Sequence, residues 1–361
     1  MNSALLQYLK ESGEELLSYY QKNPPFALTP AELMEGTFVY FERGGKRLRP
    51  AICRLCAGAL GGAKAEREAT PCALALELYH NWTLIHDDMI DHDDTRRGKS
   101  AVHTLIRHRF LSETDAKTAE EYGLDAALLA GDALHSAAIS YLSHLSDSGF
   151  VPPAVTLKIL SLLEGEYGPR LISGETLDTK NGLLYRRGTF HRLTEAEILE
   201  MMAGKTGALF GISALSGALI GIGVPTENSL ARALTDFAES CGIAFQLQDD
   251  ILGITSTQEE LGKPIGSDIR EGKPTLLLLH SYQNATEGEK EFLRQTVGIA
   301  TDEQDILKAR DILLSRGGVE ETERIAERYL ERAKQRLEII PPSPYRDLLE
   351  AWRQYMLFRK K

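Results

Sequence analysis

Thr70-Pro71-Cys72-Ala73-Leu74-Ala75-Leu76-Glu77-Leu78-Tyr79-His80-Asn81-Trp82-Thr83-Leu84-Ile85-His86-Asp87-Asp88-Met89-Ile90-Asp91 is the stretch on which the fold turns. Thr70 is a capping residue and Pro71 suits the first helical position. Leu74, Leu76, Leu78, Leu84 and Ile85 spread apolar positions almost all round, which predicts a helix buried in the middle of a bundle. Its last turn carries Asp87, Asp88 and Asp91. At about 100° per residue they fall within one arc of about 100°, at the end where the helix dipole is already negative. Carboxylates that close repel, and a hard divalent cation with oxygen ligands is the natural neutraliser. Magnesium suits the pattern, because it takes one or two carboxylates and completes its shell with water and substrate phosphate. The plain alternative is a solvated acidic helix end, but Arg96-Arg97-Gly98-Lys99 follows at once and suggests an anion between the two clusters.

The surrounding chain supplies the bundle. Helical periodicity runs through 31–41, 118–145, 152–178, 194–222, 229–252 and 320–337, with no convincing strand, linker or repeat. Thr70-Pro71, Ser112-x-x-Asp115, Thr194-x-x-Glu197 and Thr301-x-x-Gln304 mark helix starts. The expectation is one all-α domain over residues 1–361. With a net charge of −11, the chain is a poor partner for nucleic acid or an anionic membrane surface, so the cluster Gly44-Gly45-Lys46-Arg47-Leu48-Arg49-Pro50 stands out. Four cysteines in a chain of 361 residues do not read as a disulfide framework, and Cys53-x-x-Cys56 lies in an apolar helical run. The N-terminus lacks a basic region followed by an apolar one, so a reduced, cytoplasmic protein is expected. The segment 206–224 is uncharged, but its Gly, Ala and Ser content fits a helix buried among other helices, and no integral membrane segment is expected.

A second apolar helix ends in Phe245-Gln246-Leu247-Gln248-Asp249-Asp250. Two buried helices with acidic ends suggest a facing pair that could hold magnesium ions with a diphosphate bridging them. The glycine-punctuated loop from Leu261 to Thr275, with Lys263 and Lys273, could fold over an anion.

These motifs together resemble the trans-isoprenyl diphosphate synthases of the polyprenyl synthetase family. The likeness spans residues 40–340 through Gly44 to Pro50, Asp87-Asp88-x-x-Asp91 with Arg96-Arg97-Gly98, Lys205-Thr206, Phe245-Gln246-x-x-Asp249-Asp250, and the Lys263 to Lys273 loop, in the family's order. The resemblance implies a bundle of antiparallel helices around a deep central cavity, of the isoprenoid synthase type. It also implies a reaction, the magnesium-dependent condensation of isopentenyl diphosphate with an allylic diphosphate (dimethylallyl, geranyl or farnesyl). By resemblance Asp87, Asp91 and Asp249 hold about three magnesium ions, with Asp88 and Asp250 in support. Arg96, Lys205 and Lys263 grip the allylic diphosphate, with Lys273 in the same loop, and Thr206 and Gln246 lie beside the nascent cation. Lys46, Arg49, His80 and Arg97 form a metal-free basic pocket for isopentenyl diphosphate. His80 falls about 20° from Asp87 on the helix wheel, whereas His86 and His92 read as outer or surface residues. No side-chain base is implied, since the departing pyrophosphate takes the proton. A homodimer is implied by the family alone. The position where the second motif often carries a third aspartate is Gly253 here, which puts the outer water network of the third ion in question.

Product length follows from residues one to two turns before Asp87. Thr83 and Tyr79 lie within about 80° of the Asp87 direction, whereas Trp82 is rotated by about 140° and points away on ideal geometry. In related enzymes a bulky aromatic at the Trp82 position shortens the product, so Tyr79, Trp82 and Thr83 are taken as the floor. The expected product is geranylgeranyl diphosphate (C20), with farnesyl diphosphate (C15) close behind. A class I terpene cyclase would share the fold and the first motif but not the second, and a non-catalytic subunit would have lost aspartates of the first. Arg359-Lys360-Lys361 reads as a frayed basic terminus.

Overall fold

The computed structural model describes residues 3–185, 188–256 and 266–357, so Lys263 with the first part of its loop, 261–265, and Arg359-Lys360-Lys361 lie outside the described residues. The elements in chain order are α1 (Ser3–Lys22), α2 (Ala31–Glu42), α3 (Leu48–Glu68), α4 (Thr70–Ile90), β1 (Thr95–Arg96), β2 (Lys99–Ser100), α5 (Val102–Phe110), α6 (Ala116–Ser143), α7 (Pro153–Leu162), α8 (Gly168–Tyr185), α9 (Glu195–Met202), α10 (Ala208–Ile222) and α11 (Ser229–Thr255), followed by further helices to Leu357. The all-helical expectation holds.

The stretch that decides the fold is buried as its composition requires. Leu74, Leu76, Leu78 and Tyr79 of α4 are inaccessible or nearly so, between α3 on one side and α6 on the other. α10 is apolar all round and packs on α3 and α11. Its small residues serve that packing, since a Cβ at Gly217 would lie 2.0 Å from the Cys53 carbonyl oxygen. Among the described residues only the run Glu195–Ile222 is long and apolar enough to cross a membrane, and most of it is buried inside the protein. A smaller apolar cluster, including Ile251, Ile269, Leu277 and Ile306, closes the far end of α11. All four cysteines are buried and free.

Three local expectations change. Thr70 does not cap α4, because its hydroxyl donates to the Arg67 carbonyl at 2.7 Å and Ala69 holds the cap position. Asp115 caps α6 and Asp302 caps 303–315, so the first residues of those two patterns, Ser112 and Thr301, are not the caps, whereas Thr194 and Glu197 form a complete capping box. The segment after Asp91 is a two-residue hairpin pairing Arg96 with Lys99, its turn made by Arg97 and Gly98, both at positive φ. Such a turn matches the strand twist, and it directs two adjacent arginines differently.

Candidate active site

The α4 C-terminus and the hairpin are joined through Asp88, a buried carboxylate. Arg96 donates from Nε to Asp88 Oδ1 at 2.7 Å and reaches the same oxygen through Nη2. Nη2 also donates to Asp87 Oδ2 at 3.1 Å. Tyr40 on α2 donates its hydroxyl to Asp88 Oδ2 and accepts from the Val102 N–H, tying α2, α4 and α5 together. Burial raises the Asp88 carboxyl above its usual range despite the arginine.

Lys205 lies in a π turn, Ala203–Gly207, between α9 and α10. Such turns insert a residue into the helical ladder and concentrate at functional sites. Its ammonium donates to Asp178 at 2.6 Å, Glu175 at 3.0 Å and Asp87 at 3.2 Å. Burial would raise Asp87, but the charges of Lys205 and Arg96 outweigh it and hold the carboxyl below its usual range. Burial pushes Glu175 up to about 7 even beside Lys205. Glu175 and Asp178 escaped the sequence reading, because two acidic residues three apart on a long amphipathic helix carry no signal until α8 is set against Lys205. Lys273 lies 3.5 Å from Asp91 Oδ2. Asp91 is raised by burial and by Asp87, with Lys273 opposing.

Thr206, in the same π turn as Lys205, donates to Gln246 Oε1 on α11 at 3.0 Å, and Gln246 Nε2 donates to Asp250 Oδ1 at 3.1 Å, a relay that links the Lys205-Thr206 motif to the acidic end of α11. Asp249 is partly buried beside it. Burial, then the nearby Asp268, raises Asp250 well above its usual range, and Asp178 acts on both Asp250 and Asp91. The two acidic helix ends are therefore electrostatic neighbours, with α8 between them. At Gly253 a Cβ would lie 2.6 Å from Asp268 Oδ2, so a carboxylate borne by 267–271 stands where a side chain at 253 would begin.

The basic pocket gathers beside α4. Arg97 donates to the Gly44 carbonyl oxygen, and a Cβ at Gly45 would come within 2.7 Å of its Nη1, so the bare backbone at Gly45 admits the guanidinium. The Arg49 guanidinium covers the Phe210 ring at 4.5 Å, and burial lowers its pKa to about 10. Burial and then Arg49, Arg97 and Arg96 hold the His80 imidazole well below its ordinary value, which places all three arginines near it. Lys46 is exposed at the rim. The neighbouring Arg47 is structural, bonded to the Gly13 and Phe41 carbonyl oxygens. Lys99, and Arg43, which the sequence did not single out, join Tyr40, Arg96 and Arg97 around a small cavity of about 40 Å³.

A larger apolar cavity of about 660 Å³ runs between α4 and α8, lined by Trp82, Thr83, His86 and Ile90 on one side and by Leu171, Glu175, Thr179 and Leu184 among others opposite. The helix wheel, which turned Trp82 away, is corrected. The cavity flanks α4 on the side facing α8, and the indole reaches it. Tyr79 does not line the cavity but lies buried behind Trp82, ring centroids 4.8 Å apart. His86, read from sequence as an outer or surface residue, is part of the wall.

The donor set fits magnesium. Among the described residues no three His, Cys, Asp or Glu side chains converge into a ready-made cage, and magnesium needs none when phosphate and water complete its shell. Asp87 and Asp91, one turn apart, offer hard oxygens, and the mutual repulsion that raises Asp91 is what a cation relieves.

The polyprenyl synthetase family model matches residues 31–313. A geranylgeranyl pyrophosphate synthase of Geoglobus acetivorans is 36% identical over 351 residues, 97% of this chain and 96% of the relative. The crystal structure of geranylgeranyl pyrophosphate synthetase from Pyrococcus horikoshii superposes with a TM-score of 0.83 at 32% identity, covering 98% of each chain. That of a geranylgeranyl pyrophosphate synthase from Corynebacterium glutamicum, complexed with isoprenyl diphosphate and magnesium, gives 0.83 at 26% identity, also over 98% of each. With its acidic helix ends, basic pocket and apolar cavity, the chain belongs to the polyprenyl synthetase family of trans-prenyltransferases.

Proposed function

We propose that this chain extends an allylic diphosphate with isopentenyl diphosphate to give a short all-trans prenyl diphosphate, geranylgeranyl (C20) in preference to farnesyl (C15). The observation that carries this reading is the position of the apolar cavity, whose lining includes Trp82 and also Glu175, which shares Lys205 with Asp87. A reactive diphosphate end and an apolar tail are thereby accommodated together.

In the reaction the allylic carbon–oxygen bond breaks and its electron pair leaves with pyrophosphate. The double bond of isopentenyl diphosphate attacks the cationic carbon, a carbon–carbon bond forms, and a proton passes to the departing pyrophosphate. Magnesium, about three ions held by Asp87, Asp91 and Asp249, supplies charge that stabilises the leaving group when bound. Lys205 and Lys263 hold the allylic diphosphate, and Lys273 stands by Asp91. Arg96 acts mainly by fixing Asp88 and Asp87, its Nη1 remaining for the diphosphate. Thr206 gives its proton to Gln246, so its oxygen keeps acceptor capacity toward a neighbouring cation. Lys46, Arg49, His80 and Arg97 receive isopentenyl diphosphate, and the uncharged imidazole offers it a hydrogen bond without adding charge. The proposal includes a homodimer, for which exposed Leu128 and Leu129 on α6 supply apolar surface, and a cytoplasmic location in keeping with four free cysteines.

Incubating the purified protein with magnesium, isopentenyl diphosphate and each of dimethylallyl, geranyl and farnesyl diphosphate tests the reading. Elongation ending mainly at C20 is expected. No elongation with any primer overturns the proposal in favour of a non-catalytic subunit, and cyclic hydrocarbon from a prenyl diphosphate alone overturns it in favour of a cyclase.

A further inference from the structure

Trp82 is held by packing alone. Its indole Nε1 is buried with no hydrogen-bond partner, so the ring's orientation depends on what leans against it. Three rings do so: Tyr79 at 4.8 Å, His135 at 4.9 Å and His86 at 5.8 Å between centroids. Tyr79 and His86 sit on α4 with Trp82 and move with it, whereas His135 comes from α6. His135 also touches Tyr79, at 5.3 Å, so three rings close on one another across the α4–α6 interface. The imidazole is held in turn. Its Nε2 lies 3.2 Å and 3.3 Å from the two Glu164 carboxylate oxygens. Glu164 belongs to a second π turn, Leu163–Tyr167, between α7 and α8.

We propose that His135, held by Glu164, is a positioning residue that sets product length by backing Trp82. It rests on the reading of Trp82 as the wall where the growing chain stops. A chain pressing on Trp82 can move the indole only if the ring behind it yields, and of the three rings His135 alone belongs to another helix. A ring at 135 therefore matters more than a charge there. The contact lies outside the metal and diphosphate site, so it bears on when elongation ends and not on how each addition proceeds.

The test compares the chain lengths made from farnesyl and isopentenyl diphosphates by wild type, Trp82→Ala, His135→Ala, His135→Phe, Glu164→Gln and the Trp82→Ala/His135→Ala double variant. Initial rates and KM for the first addition are measured alongside. His135 is partly exposed, its side chain 29% accessible, so truncation there leaves the core intact. His135→Ala should lengthen the main product by one C5 unit with kcat and KM of the first addition unchanged. His135→Phe should restore wild-type length, and Glu164→Gln should broaden the product range. The double variant should make the same products as Trp82→Ala, because His135 acts through Trp82. Wild-type products from His135→Ala while Trp82→Ala lengthens them would overturn the role of His135 alone. A fall in kcat of His135→Ala without a change in length, or further lengthening in the double variant, overturns the positioning role. An unchanged range in Glu164→Gln removes Glu164 from it. Unchanged products from Trp82→Ala overturn instead the underlying assignment of the wall.

Discussion

Arg96→Met separates two ways of reading the arginine after the first aspartate motif. The Asp88 side chain is only 1% accessible and that of Arg96 24%, so the pair is close to buried and solvent screening discounts it little. Removing the guanidinium leaves the Asp88 carboxylate with the Tyr40 hydroxyl as its remaining side-chain partner, whereas Asp87 keeps Lys205. Breaking a buried ion pair from one side costs about 3–5 kcal/mol. The alternative, proton uptake by a carboxyl of ordinary pKa at pH 7, costs about 4 kcal/mol at about 1.4 kcal/mol per pH unit. Both routes reach the same size, and burial, which already raises Asp88, makes this an upper figure. Against a typical stability of about 5–15 kcal/mol, the variant should fold but unfold at markedly lower urea, followed by circular dichroism. The double variant Asp88→Asn/Arg96→Met should recover most of the loss, since deleting both partners leaves no orphaned charge. A single variant as stable as wild type, or a double variant no better than the single, would refute the reasoning. Allylic affinity should also fall more than isopentenyl affinity, and equal losses would show that Arg96 serves both substrates alike.

Further tests address other parts of the site. The folded pKa of Glu175 is raised to about 7, above the unfolded value, so its burden on stability is present above that pH and is relieved as pH falls. The stability of Glu175→Gln relative to wild type should therefore grow from pH 5 to pH 8 in thermal melts, and a pH-independent difference would contradict the shift. Gly253→Asp would set its Cβ 2.6 Å from Asp268 Oδ2 and add a third carboxylate beside Asp250. It should melt below Gly253→Ala in metal-free buffer and gain more from magnesium, and identical melts would dismiss the crowding. Thr206→Val removes the bond to Gln246 and should lower kcat more than it raises allylic KM. An effect on KM alone would assign Thr206 to binding.

By itself the sequence determined the helical class, the buried course of α4 and the acidic ends of α4 and α11. These are matters of periodicity and spacing along one helix, where chain geometry allows little choice. The structure decided what lies across from each. Glu175 and Asp178 meet Lys205 only because α8 packs on a π turn, and a π turn has no sequence signature. Tyr40 reaches Asp88 from α2, and the hairpin at 95–100 sends Arg96 to that carboxylate and Arg97 to Gly44. Asp268 stands beside Gly253 because the chain returns after α11. Trp82 shows the limit most clearly. Its angle from Asp87 was computable from residue number, but whether that angle faces a cavity depends on where α6 and α8 lie against α4. That depends on how side chains from distant parts of the chain fill the space between helices, which no local pattern encodes.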